Sequence, residues 1–211
     1  MKTGDLSGTV FTNRILLKDG QTAMAGLGFI MKMDTATYFV TAKHLLGPDG
    51  GFKHKIKEED IAQTLVAWQA IVPFRADSFA VSTGNIAAAQ GDVLLFRIPA
   101  ALGNPAYKTF RLSKLMIPEQ TNKVLVNGMD ISNDFYLVAY ASGKEALFPL
   151  QLAGKYEDYY VFRKKKNVDY HGFSGGPVLD AKGNVFAIVS AGFDNNGEEQ
   201  VAATKIRPLG Q

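Results

Sequence analysis

The chain has 211 residues, of which 46% are hydrophobic and 20% charged, with 14 Phe and 8 Tyr; this excludes a disordered or fibrous protein and suits one domain, or two small lobes sharing an interface. Lys and Arg exceed Asp and Glu by only 23 to 20, so bulk charge gives no reason to expect a nucleic-acid or membrane partner. Cysteine is absent, which removes disulfides, thiolate metal ligands and a cysteine nucleophile.

The first residues, Met1-Lys2-Thr3-Gly4-Asp5, carry an acid and a glycine where a signal peptide needs an apolar run, and no later segment is long enough for a membrane-spanning helix. The expectation is a soluble chain, cytoplasmic or exported with its signal already removed.

From Gly8 the pattern is extended. Val10 to Thr12, Ile15 to Leu17 and Gly28 to Met31 read as strands around a turn at Asp19-Gly20. Gly26-Leu27-Gly28 looks like the start of a dinucleotide fingerprint, but no third glycine and no amphipathic helix follow, so a close strand crossing explains it better. Ala36 to Thr41 is rich in β-branched and aromatic residues and leads into Ala42-Lys43-His44, which puts a histidine just past a strand end. Gly47 to Glu59, with His54 among lysines, reads as solvated loop.

Further strands are expected at Leu65 to Val72, Phe79 to Val81 and Asp92 to Ile98, the last opened by an aspartate. Pro99 to Lys108 reads as a crossover between halves. Beyond it lie short apolar runs at Val124 to Val126, Phe135 to Tyr140, Ala146 to Leu152, Tyr159 to Arg163, Pro177 to Leu179, Val185 to Ser190 and Val201 to Ile206. Glycine-bearing turns such as Ser142-Gly143 and Asn196-Gly197 separate them, the pattern of an all-β sandwich or barrel with sparse helix.

Chemistry concentrates in Gly172-Phe173-Ser174-Gly175-Gly176-Pro177-Val178. Glycines beside a serine permit turn geometries that aim the Gly172 and Ser174 amides at one point beside the hydroxyl, as an oxyanion hole requires. A serine nucleophile needs a histidine base and an acid to orient it. Of His44, His54 and His171, the strand-end His44 is best placed. The same segment satisfies the nucleophile-elbow pattern of α/β-hydrolases, but in that fold the histidine follows the serine. No histidine follows Ser174, and a strand-like run rather than a helix comes after it.

Three blocks in the remaining order, Phe39-Val40-Thr41-Ala42-Lys43-His44, Asp92 to Ile98 and Gly172 to Val178, resemble the signature blocks of chymotrypsin-like serine peptidases, and the likeness runs nearly end to end. The cysteine-free bacterial and viral types are the nearest in style. The resemblance implies two antiparallel six-stranded β-barrels around a catalytic cleft, within a single peptidase domain over 1–211. The N-terminal barrel would cover about 1–100 and the C-terminal one about 108–211.

The resemblance also implies the roles. His44 is the base, Asp92 its orienting partner with Asp77 as fallback, Ser174 the nucleophile, and the amides of Gly172 and Ser174 the oxyanion hole. Val168, His171, Ser190, Ala191 and Gly192 would bind substrate, with Val168 near the pocket floor favouring small or medium apolar side chains. Arg163-Lys164-Lys165-Lys166 reads as solvated loop. In the zymogen-activated branch an aspartate precedes the serine; Phe173 there argues against activation by a cut N-terminus. The implied activity is a serine endopeptidase acting on a peptide or protein substrate, with no cofactor, metal, nucleic acid or membrane. The alternative is a catalytically silent member that serves as a binding or scaffold module.

Overall fold

The computed structural model describes residues 8–73, 77–82, 84, 86–99, 107–113, 125–126, 129–130, 135–164 and 168–209. Strands dominate it, as the alternation of apolar and polar residues predicts, and no helix among the described residues is long and apolar enough to cross a membrane.

The N-terminal half is one curled antiparallel sheet. Its strands are β1 (Val10–Leu17), β2 (Thr22–Met33), β3 (Ala36–Ala42), β4 (Leu65–Ile71), β5 (Ser78–Val81), β6 (Ile86–Gln90) and β7 (Val93–Ile98), in the order β5-β4-β1-β2-β3-β7-β6. A further strand, β8 (Thr109–Arg111), pairs with β2 in parallel. β5 and β6 occupy opposite edges yet lie only a few residues apart in the chain, which at about 3.5 Å per residue bends the sheet toward itself. This half is a curled half-barrel rather than a closed ring.

The C-terminal half does close. After a small pair, β9 (Leu125–Val126) and β10 (Met129–Asp130), come β11 (Phe135–Ala141), β12 (Lys144–Lys155), β13 (Tyr159–Arg163), β14 (Pro177–Leu179), β15 (Val185–Asn195) and β16 (Glu198–Lys205). These last six form a barrel in the order β11-β12-β13-β16-β15-β14. Two-residue turns at Ser142-Gly143 and Asn196-Gly197 join its long hairpins with both φ angles positive, the geometry that matches strand twist. Val124 and most of the expected crossover at Pro99 to Lys108 lie outside the described residues.

Several boundaries differ from the sequence pattern for identifiable reasons. β6 is built largely of alanines, which carry no strand signal, and forms because β7 offers it a free edge. β15 continues past Ser190 through exposed residues, since pairing with β16 holds the backbone where no buried face marks it. The loop after His44 contains short 3-10 turns at Pro48–Gly50 and Glu58–Asp60 and a helical turn at Ile61–Thr64, which buries Ile61.

Each half has an aromatic core. Phe11 meets Phe39, Phe79 and Tyr107 edge-on, and Phe135, Phe162 and Phe186 do the same in the barrel. The cores interpenetrate: Leu27 of β2 packs with the barrel's buried residues, while Val138, Leu179, Val185 and Ile188 pack with those of the sheet. Polar contacts reinforce the join, as Glu145 Oε1 accepts the Gly8 and Thr9 amides at 2.8 and 3.1 Å, and the Tyr140 hydroxyl donates to the Val10 carbonyl at 2.6 Å.

A polar network runs through the buried N-terminal half. Trp68 Nε1 donates to Asn13 Oδ1 at 3.0 Å, while Asn13 Nδ2 donates to Thr41 Oγ1 at 3.0 Å and to the Ala25 carbonyl at 3.2 Å. Asn13→Leu strands these partners without solvent, at about 1–3 kcal/mol for each group left unpaired. The expected result is an earlier urea transition followed through the fluorescence of Trp68, the single tryptophan of the chain; an unchanged midpoint would contradict the network's structural role.

Candidate active site

β3 and β7 are antiparallel neighbours whose register pairs Ala42 with Val93, so the residues just beyond each end, Lys43 and Asp92, face one another. The Lys43 amide donates to the Asp92 carbonyl at 2.6 Å. The chain then turns into a 3-10 segment, Lys43–Leu46, anchored by buried Leu45 and Leu46. That turn swings the His44 ring back over the aspartate.

Both carboxylate oxygens of Asp92 are engaged. Oδ1 accepts the His44 main-chain amide at 2.8 Å and Oδ2 lies 2.7 Å from His44 Nδ1. The carboxylate therefore holds the backbone and the ring of one residue together, fixing the plane of the imidazole. A proton on Nδ1 satisfies this contact and leaves Nε2 as acceptor, the tautomer a general base requires. Both side chains are about one-fifth exposed, sheltered but open to a ligand. Asp77 does not share this position: it sits in the β4–β5 connection, where its carbonyl accepts the Val72 amide.

The serine loop belongs to the barrel. Val189 of β15 exchanges main-chain hydrogen bonds with the loop, the Gly175 amide donating to the Val189 carbonyl at 2.7 Å and the Val189 amide to the Gly176 carbonyl at 2.9 Å. Inside the loop, Phe173 donates to Tyr170 and Gly176 to Phe173. Among the described residues, the Gly172 and Ser174 amides donate to no protein group. An oxyanion site draws on main-chain amides left free in this way, one of them the serine's own.

The loop also touches the other half. The Leu27 amide of β2 donates to the Ser174 carbonyl at 2.7 Å, and the Thr41 hydroxyl donates to the Leu27 carbonyl at 2.7 Å. Approach is close enough to require glycine: a Cβ on Gly175 would sit 2.0 Å from the Leu27 carbonyl oxygen and 3.1 Å from the Ala42 amide, and one on Gly26 would sit 2.6 Å from the Ser174 oxygen. The serine's backbone thus lies against the strand end that carries His44.

Phe173, where an activation aspartate would stand, packs with Phe148 and Tyr170 at ring separations of 5.4 Å each. This aromatic cluster holds the loop from below, a role that Phe173 by itself did not announce in the sequence.

A groove of about 1380 Å³ leads away from Ser174 along the barrel, lined in part by Gly172, Val168, Tyr170, His171 and Gly192. Three of the five residues expected to bind substrate, Val168, His171 and Gly192, line it. The other two do not: the Ser190 hydroxyl turns to Thr204 Oγ1 at 2.6 Å, and Ala191 is exposed on the adjoining strand. Lys164, expected in a solvated loop, lines the groove instead and is mostly buried. Among the described residues no group of three or more His, Asp or Glu side chains could hold a metal ion.

No protein-family model matches the chain, and no curated protein matches it. Solved structures do. The Rv3671c protease in its inactive form is 14% identical, with 96% of this chain and 86% of that chain covered and a TM-score of 0.58. The active form, from M. tuberculosis, is 15% identical over 97% and 85%, also at 0.58. The HtrA-type protease AlgW with tripeptide is 15% identical at a TM-score of 0.54; 94% of this chain covers only 56% of that one. At such identities the likeness concerns fold alone. The fold is chymotrypsin-like, as in these serine proteases.

The contact between β2 and the serine loop carries a direct expectation. Gly26 has a φ of +59°, and Gly26→Ala adds a methyl that meets the Ser174 carbonyl. The variant is expected to lose about 1–3 kcal/mol of stability and hydrogen-exchange protection at the Leu27 amide. Full protection there would show that the loop does not depend on this approach.

Proposed function

We propose that the chain is a serine endopeptidase using His44, Asp92 and Ser174. The observation that carries the reading is the two-point hold of Asp92 on His44, through ring and main chain together, opposite a serine loop whose Gly172 and Ser174 amides are unengaged among the described residues. A structural ion pair needs neither the tautomer-fixing geometry nor the free amides.

In the proposed reaction His44 Nε2 takes the Ser174 proton as Oγ bonds to the scissile carbonyl carbon. The oxyanion is received by the Gly172 and Ser174 amides, and such donors are worth several kilocalories in a sheltered site when they are aimed beforehand at the developing charge. Collapse breaks the C–N bond, His44 returns its proton to the departing amine, and an acyl ester remains on Ser174. Water, deprotonated by the same imidazole, then hydrolyses the ester and restores the serine. Asp92 stabilises the imidazolium in both halves. The groove supplies room for an extended peptide, and the likeness to a protease solved with a tripeptide supports a peptide ligand.

The competing reading, a silent binding module on the same fold, predicts no reactive serine. A fluorophosphonate probe separates the two. The native protein is expected to label, Ser174→Ala not at all, and Asp92→Asn about 10³- to 10⁴-fold more slowly, because an amide cannot hold the same tautomer. Absence of a Ser174-dependent adduct would favour the binding module.

A further inference from the structure

The groove beside Ser174 contains a cation that the sequence pattern hid. Lys164 follows β13, and its side chain folds back so that it is only 14% exposed. Its ammonium lies 5.1 Å from the centre of the Tyr170 ring. It also fills the space a side chain at position 192 would occupy: a Cβ on Gly192 would meet Lys164 Nζ at 3.2 Å and Cε at 3.6 Å. Lys164, Tyr170 and Gly192 therefore form one corner of the groove, whose lining also includes Val168, Gly172 and Ser174.

A cation on a side chain largely withdrawn from water, at the wall of a groove, is best met by a close counter-charge, and the one Lys164 has is distant. Glu199 Oε2 stands 3.8 Å away, beyond hydrogen-bond length, on a side chain that is 63% exposed. The neighbouring Arg163 is committed elsewhere, its Nε paired with Glu198 at 2.8 Å. Tyr170 presents the face of its ring to the ammonium. A ligand carboxylate entering this corner would supply the short, charge-assisted hydrogen bond that Glu199 does not make.

Resting on the peptidase reading above, we infer that Lys164 determines specificity, selecting a substrate whose residue on the acyl side of the scissile bond carries a carboxylate. This replaces the apolar preference suggested by Val168 alone. The other acids of the groove limit the preference to one position. Asp169 caps the His171 amide, Asp194 caps the Gly197 amide and Glu198 holds Arg163, while Asp49 lines the groove as well. Together they repel further acidic residues along an extended substrate, so a single acid flanked by neutral residues is the predicted ligand.

The test uses fluorogenic tetrapeptides identical except for the residue before the reporter: Glu, Asp, Gln, Val or Lys. For the native protein, kcat/KM for Glu is expected to exceed that for Gln at least about tenfold, the scale of one charge-assisted hydrogen bond. Lys164→Met should erase the difference while fluorophosphonate labelling of Ser174 continues, and Lys164→Arg should retain it. Lys164→Glu should shift the preference toward Lys. Normal labelling combined with best cleavage of the Val or Lys peptide by the native protein would overturn the inference and leave the peptidase reading standing. No labelling and no cleavage would bring down both. Should Lys164→Met fail to fold, the native Glu-to-Gln ratio alone decides.

Discussion

The constraint on which the molecule turns is the seating of one barrel loop on one strand of the opposite sheet. Leu27 donates its amide to the Ser174 carbonyl while its carbonyl accepts from the Thr41 hydroxyl, so a single residue of β2 ties the serine loop to β3, the strand that leads into His44. The spacing leaves no room for side chains at Gly26 or Gly175. Behind Thr41 the network continues through Asn13 to Trp68 in the buried interior. A hydrogen-bonded connection of this kind is directional, whereas apolar packing alone would let the two halves slide.

The candidate chemistry inherits its geometry from that seating. Asp92 and His44 are set by strand register, since β3 and β7 end opposite each other and the polar residues just beyond them meet. The serine loop is set by the barrel, through its exchange of hydrogen bonds with Val189 and the aromatic support of Phe173. The proposed triad is divided between the halves, His44 and Asp92 belonging to the sheet and Ser174 to the barrel. Placing functional groups on rigid strands and joining the strands by an interface is how a shallow loop comes to hold the precision that catalysis requires.

Much of this was legible from residues because the signals were local. Short β-branched and aromatic runs with glycine-bearing turns announced strands, and Asp92, opening an otherwise apolar strand, stood out because a charge there needs a partner. The partner is His44. What stayed hidden depends on tertiary pairing. β6 carries alanines with no strand preference of their own, and the outer part of β15 is exposed on both faces, so alternation could not reveal it. Ser190 was expected in the groove, but it falls at the register shift between Val189 and Ala191 in the β15–β16 pairing, where its hydroxyl meets Thr204. Lys164 sat in a run of basic residues that reads as solvent-facing; only the fold brings Tyr170 and Gly192 around it.

The proposed chemistry passes through an acyl ester formed on Ser174 by a peptide. Mixing the protein with a peptide ester, quenching in acid within milliseconds and mapping the digest by mass spectrometry reads this directly. The peptide's acyl portion is expected on the fragment containing Ser174 and is expected to disappear on longer incubation, and His44→Ala should prevent its formation. Turnover of the ester with no adduct on that fragment, or an adduct that forms equally well without His44, would contradict it.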